Sequence, residues 1–201
     1  MTILEIIAAV FGFLCVWFYI VRNVWSWPTG LVQVLLLIAV FYNAKLYADM
    51  ALHVVYVALQ IFGWISWIRS SRIPQPDTPG TEMVVVRSLS RRGIVTSIIT
   101  TFLLTVAFAF SLTHWTDAEL PIADSFVAAA SLVAQSLLAT RYLENWIYWI
   151  VIDTVGVGLF AYKELYPTAI LYALFWAMAI AGLIRWIHAF RDDRIAKARS
   201  L

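Results

Sequence analysis

In the stretch RYLENWIYWIVIDTVGVGLFAY, Arg141 to Tyr162, one carboxylate, Asp153, stands inside a segment otherwise suited to an apolar environment. At 100° per residue, Trp146, Trp149 and Asp153 project within about 60° of one another, with Phe160 in the same arc. The stripe is two indole faces and an acid. Indole faces attract cations through the ring quadrupole, worth roughly 0.5–2 kcal/mol each, and they also stack flat heteroaromatic rings. An ionisable group at mid-membrane costs roughly 2.5–3.5 kcal/mol on insertion scales and normally faces a bundle interior or a water-filled cavity. The combination suits a planar, positively charged ring bearing polar groups. Read structurally, the same acid would bond neighbouring helices or cap a local break near Gly156 and Gly158.

A second stripe, His53, Tyr56, Gln60, Trp64 and Trp67, projects within about 80° on its own segment. Tyr56 and Gln60 offer hydrogen bonds to hydroxyls or amides. Trp67 reads as interfacial belt material, as do Trp25 and Trp27, and His53 stands near a segment end as rim residue or ligand. Gln33, one turn after WPTG, and Gln135 are neutral amides at bilayer depth, suited to substrate contact or to bonding between helices. The expected binding set is therefore Trp146, Trp149, Asp153, Gln60, Trp64, Tyr56, Gln33 and Gln135.

No His/Cys/Asp spacing resembles a metal site, no cofactor is expected, and no Gly-Lys-Ser or Gly-Lys-Thr loop supplies an ATP motor. An intramembrane enzyme using Asp153 as acid or base is a competing reading, but the apolar segments offer no second carboxylate or histidine at depth to act with it. We expect no enzyme. A structural subunit, with Asp153 paired to another protein's basic helix, is the remaining alternative class. Cys15, the single cysteine, lies inside the first segment and reads as a small packing residue.

These residues need positioning elements, and composition says what kind. The chain is 201 residues, 63% hydrophobic and 13% charged, with a mean hydropathy of +0.84, which is too apolar for a water-soluble surface. A spanning helix takes roughly 20 mainly apolar residues, and segments 3–21, 25–42, 48–68, 94–113, 123–140, 145–162 and 167–188 qualify. The apolar runs are continuous rather than alternating, so helices are expected and not a barrel. The first segment lacks a basic start and a clear cleavage site and reads as helix 1 rather than a signal peptide. Across seven spans, Lys45 and Lys163 fall on one side and the other Lys and Arg residues on the opposite side. That asymmetry predicts a multi-pass membrane protein with its N-terminus outside and its C-terminus cytoplasmic. The net charge of +2 is topological and does not point to nucleic acid.

A shift of 119 residues lays 22–68 over 141–187. Arg22 meets Arg141, Trp27 meets Trp146, Phe41 meets Phe160, and IFGWISWI meets IAGLIRWI. The expected fold is all-α with seven transmembrane helices in a 3+1+3 parallel repeat, with a site at the repeat interface. Residues 1–68 form the first triplet, 69–121 a cytoplasmic linker and connecting helix 4, 122–188 the second triplet, and 189–201 a basic cytoplasmic tail near anionic lipid. The linker's Pro-Asp-Thr-Pro-Gly core reads as turn.

ENWIYWIVID, with its Trp-x-x-Trp-x-x-x-Asp spacing, resembles the Trp-x-x-Trp-x-x-x-Asn/Asp motif of the PnuC-type bacterial vitamin transporters, and WPTGLVQ, KLYADM and LQIFGWISW look like stretches of that family's first half. The resemblance runs from about residue 6 to 188. It implies a SWEET-like 3+1+3 fold, a homotrimer, and facilitated diffusion of nicotinamide riboside, trapped after entry by a cytoplasmic kinase and feeding NAD biosynthesis. Trp146, Trp149 and Asp153 are carried over as motif positions, with Gln60 and Trp64 as partners. Relatives of similar shape carry thiamine or riboflavin, and nicotinamide riboside carriers often have Asn where this chain has Asp153. A carboxylate suits either cation, nicotinamide riboside or thiamine, and counts against neutral riboflavin.

Overall fold

The computed structural model describes residues 3–70, 72–74, 82–115 and 120–199. Its helices are α1 (Ile3–Ile20), α2 (Ser26–Asn43), α3 (Tyr47–Ile68), α4 (Arg91–Trp115), α5 (Pro121–Ala139), α6 (Asn145–Tyr162) and α7 (Tyr166–Arg199). All seven are long and apolar enough to cross a membrane. Two features depart from expectation. The linker holds a short antiparallel ribbon, β1 (Arg72–Pro74) with β2 (Glu82–Val84), in register Ile73 to Met83; its Pro-Asp-Thr-Pro-Gly core lies outside the described residues. The basic tail is not a separate segment, because α7 runs on through it to Arg199. Its stretch RDDRIAKAR contains neither Gly nor Pro, so nothing in the local sequence stops the helix at the membrane surface.

The repeat is legible in the helix ends. α2 and α6 begin at Ser26 and Asn145 and end at Asn43 and Tyr162, and α3 and α7 begin at Tyr47 and Tyr166, all 119 positions apart. The correspondence extends to α1 and α5, which end at Ile20 and Ala139. Four turns share one hydrogen-bond pattern. The N–H of Arg22 bonds the Tyr19 carbonyl at 3.1 Å and that of Asn23 bonds the Phe18 carbonyl at 2.8 Å. Lys45, Arg141 and Glu164 and the residues after them repeat the pattern at the ends of α2, α5 and α6. This closure needs a left-handed residue, and φ is 57°, 59°, 67° and 57° at Arg22, Lys45, Arg141 and Glu164.

A left-handed L-residue with a Cβ is strained by about 1–2 kcal/mol. Lys45 is exposed, so Lys45→Gly is expected to stabilise the protein by about 1 kcal/mol. The check is thermal melting in detergent; a fall in the melting temperature contradicts the strained-turn reading.

Within each triplet the helices pack in sequence, α1 on α2 on α3 and α5 on α6 on α7; between triplets α3 meets α5 and α7 meets α1. Helix α4 packs on α5. Four indoles join the two halves at the end of the bundle that carries Arg22, Arg87 and Arg141, here called the basic end. Trp27 lies over Gly63 and Trp146 over Gly182, where an added Cβ would stand 2.1 and 2.6 Å from a ring carbon. Trp27 meets Trp67 edge-on at 5.4 Å, and Trp146 meets Trp186 in the same way at 5.7 Å. The Trp67 indole N–H then donates to the Leu138 carbonyl at 3.2 Å, and that of Trp186 to the Tyr19 carbonyl at 3.0 Å. Donors and acceptors are both related by the shift of 119. The belt assignment of Trp27 and Trp67 is thereby corrected: both are 0% exposed, because Gly63 admits the Trp27 ring, while Trp67 packs among Tyr19, Trp27 and Trp186 with its N–H on a carbonyl of the opposite triplet. Trp25 is 67% exposed.

Residues 84–89 of the linker lie as a strap across this basic end. Val84 and Val86 are buried in the tryptophan cluster. The Val84 carbonyl accepts from Arg22 at 3.1 Å, Arg87 forms a parallel bridge with Tyr142, and Glu144 Oε1 accepts from Ser88 Oγ at 2.7 Å and from the Leu89 N–H at 3.0 Å.

Candidate functional site

Helix α5 is the most enclosed of the spans, with more than half of its residues buried. Its Ala130 and Ala134 are small enough for α6 to seat Ile152 against them, with Trp149 and Tyr148 at the edge of that contact. This close approach turns the next residue, Asp153, inward. Asp153 is 4% exposed and has no hydrogen-bond or ion-pair partner among the described residues. It stands about 12 Å along α6 from Asn145. One turn on, Gly156 admits the Tyr172 ring of α7, which an added Cβ would meet at 2.3 Å; Tyr172 in turn packs on Phe160 at 5.0 Å and lies within electrostatic reach of Asp153.

A polar layer crosses the bundle. The Tyr19 hydroxyl of α1 donates to Gln60 Oε1 of α3 at 3.0 Å and accepts from Gln135 Nε2 of α5 at 3.3 Å. All three residues are 4–5% exposed. Gln60 is about 12 Å from the α3 end at Ile68, the same distance as Asp153 from the basic end of α6. Gly30 on α2 makes room for this layer, since a Cβ there would stand 2.5 Å from Gln60 Nε2 and 2.8 Å from Cys15 Sγ. The Cys15 thiol donates to the Ser26 carbonyl at 3.2 Å.

The expected binding set divides. Gln60 and Gln135 meet through Tyr19, which sequence reasoning missed because a tyrosine at a helix end is common belt material. Tyr172, which the 119-residue shift pairs with His53, is a further residue that sequence reasoning missed, and its ring lies near Asp153. Tyr56 is half-buried, beside Ser131 of α5 and Tyr172 of α7, and meets the His53 ring at 5.5 Å. Trp64 is half-buried and packs against the tryptophan core, as does Trp149. Gln33 is half-buried against α1, where Gly12 gives it space. Trp146 is 2% exposed with its ring between Gly182 and Trp186. At the opposite end Lys163 Nζ holds both Asp124 carboxylate oxygens at 3.0 Å, tying the α6–α7 turn to α5.

The polar groups break the symmetry that the tryptophans keep. Tyr19, Gln33, Gln60, Gln135 and Asp153 correspond to Leu138, Ile152, Ala179, Val16 and Val34 in the other triplet. A doubled scaffold thus carries one copy of the chemistry. That chemistry is a buried carboxylate with unmet bonding capacity, aromatic faces, and amides at matching depth, which can bind a flat cation with polar substituents. A groove of about 210 Å³ between α4 and α5, lined by Ser97, Leu104, Leu132 and Ser136 among others, lies apart from these residues.

A family model described as "Nicotinamide mononucleotide transporter" matches residues 2–188. The nicotinamide riboside transporter PnuC of Neisseria mucosa is 30% identical over 187 residues, covering 90% of this chain and 70% of that protein. Its namesake in Escherichia coli K12 is 25% identical over 207 residues, covering 94% and 87%. The riboflavin/roseoflavin transporter RibM of Streptomyces davaonensis is 24% identical over 174 residues, covering 86% and 79%. The crystal structure of the vitamin B3 transporter PnuC superposes with a TM-score of 0.79 at 28% identity, covering 94% of this chain and 83% of that one.

Proposed function

The chain belongs to the nicotinamide mononucleotide transporter family, and from that premise we propose that it carries nicotinamide riboside across the inner membrane by facilitated diffusion. It is a multi-pass membrane transporter. The observation that supports the substrate is Asp153, a buried carboxylate without a counter-charge among the described residues. A pyridinium ring beside it replaces lost hydration with a charge pair. In this reading Trp149 and Trp64 flank the ring, and Gln60, Gln135 and Tyr56 bond its polar groups. Trp146 and Gln33 support the pocket wall from the α7 and α1 sides. The excess of Lys and Arg at the basic end sets that end in the cytoplasm and the N-terminus outside. The protein works as a homotrimer, no ion is coupled, and phosphorylation in the cytoplasm retains the substrate.

The similarity to a riboflavin carrier favours one alternative substrate. A neutral flavin leaves Asp153 without a counter-charge, whereas thiamine would satisfy it. Uptake into proteoliposomes decides among them. Labelled nicotinamide riboside is expected to equilibrate with no ion gradient and to be displaced by unlabelled nicotinamide riboside more effectively than by thiamine or riboflavin. A requirement for a proton or sodium gradient overturns uniport, and riboflavin uptake without nicotinamide riboside uptake overturns the substrate.

A further inference from the structure

We propose that Tyr19 is a positioning residue that orients two buried amides in opposite senses and thereby makes the site selective for a carboxamide; this rests on the reading that the polar layer binds substrate. A phenol carries one proton. Tyr19 gives it to Gln60 Oε1 at 3.0 Å, and its oxygen receives Gln135 Nε2 at 3.3 Å. One amide therefore turns its oxygen toward Tyr19 and the other its nitrogen. What remains is a free amino group on Gln60 and a free carbonyl on Gln135, neither of which has a hydrogen-bond partner among the described residues.

A carboxamide is complementary to that pair: its carbonyl accepts from Gln60 and its amino group donates to Gln135. A carboxylate in the same place sets a negative oxygen against the Gln135 carbonyl. A ring without either substituent leaves both amides unpaired, which is penalised in a buried site.

The phenol is held so that this choice persists. Its ring meets Trp27 edge-on at 5.1 Å and Trp67 at 6.0 Å, and the Tyr19 backbone carbonyl accepts the Trp186 indole N–H. Gly30 leaves space for the amino end of Gln60. The second triplet has Leu138, Ala179 and Val16 at the three equivalent positions, so the orienting device exists once and gives the pocket one sense.

The test is calorimetric titration of the full-length protein in detergent with nicotinamide riboside, nicotinic acid riboside and N-ribosylpyridinium, which lacks the carboxamide. The wild type is expected to bind nicotinamide riboside at least about tenfold more tightly than either analogue. In Tyr19→Phe the nicotinamide riboside affinity falls about tenfold while that for N-ribosylpyridinium stays within about twofold, so the preference collapses. Equal weakening toward both ligands means Tyr19 is structural only and overturns the proposal. Gln135→Met, which keeps Tyr19 and the side-chain volume, should produce the same selective loss and serves if Tyr19→Phe does not fold; an unchanged preference in it also overturns the proposal. A wild type that binds nicotinamide riboside and N-ribosylpyridinium equally sinks this inference and leaves the transport reading standing. A wild type that binds no riboside sinks the transport reading itself.

Discussion

Replacing Asp153 by valine is expected to abolish measurable uptake of nicotinamide riboside while raising the melting temperature of the purified protein. Valine is the residue the first triplet has at the equivalent position, Val34, which is 6% exposed, so the fold tolerates it there. The carboxylate is 4% exposed with no partner among the described residues, and an ionisable group at this depth costs roughly 2.5–3.5 kcal/mol. Removing it should therefore stabilise the protein by about 2 kcal/mol. The substrate loses a charge-assisted contact, worth roughly 1.5–3 kcal/mol and so about 10- to 150-fold in affinity. Asp153→Asn keeps a polar acceptor and is expected to weaken binding by about tenfold, without loss of membrane insertion. Opposite signs for stability and binding identify an acid placed for a ligand. If Asp153→Val melts earlier and loses uptake together with folding, the acid is structural and the substrate assignment loses its main support.

Gly63→Ala is expected to prevent accumulation of folded protein, although alanine is the better helix former. The added Cβ would stand 2.1 Å from two carbons of the Trp27 benzo ring, closer than any unstrained contact. Trp27 cannot give way, because it is 0% exposed and abuts both Tyr19 and Trp67. Overpacking in a tight core costs typically 1–3 kcal/mol and occasionally more; the short distance to a wide, enclosed ring places this case at the upper end. Gly158→Ala is the control, since a Cβ there meets nothing within 4 Å, and the helix-propensity gain of up to about 1 kcal/mol should appear as a neutral or higher melting temperature. Trp27→Leu in the Gly63→Ala background should restore part of the folded fraction by clearing the ring. Detergent extraction followed by size-exclusion chromatography reads all three. A monodisperse, wild-type-like Gly63→Ala protein would show that the indole–glycine contact does not hold α2 against α3.

The second triplet makes the same point through Trp146 and Gly182. That pair shows how residues sharing one helical face can meet different neighbours. Trp146, Trp149 and Asp153 were placed on one stripe by helical angle, and the angle is correct for an isolated helix. It says nothing of what stands opposite. Trp146 faces a glycine of α7 and becomes packing, whereas Trp149 and Asp153, one and two turns on, face α5 and the bundle interior. Gln60 and Gln135 were recognisable as amides at depth, but nothing in their local sequence links them, since their connection runs through a hydroxyl on α1, 41 residues from the one and 116 from the other.

By itself the sequence determined the solvent, the seven helices and the repeat, because each follows from local composition: apolar runs long enough to span, short polar breaks between them, and side chains recurring at a constant shift. It also marked Asp153, since one acid in such a run is costly wherever it points. Tertiary structure decided which aromatics are inside. Trp27 and Trp67 occur at helix ends, where belts are built, and only the glycine and carbonyl brought from other helices make those ends a core. It also decided that residues 84–89 of the linker close over the basic end, and that Tyr19 sets the orientation of two distant glutamines. Those relations depend on distances between segments far apart in the chain, which periodicity along one helix cannot encode.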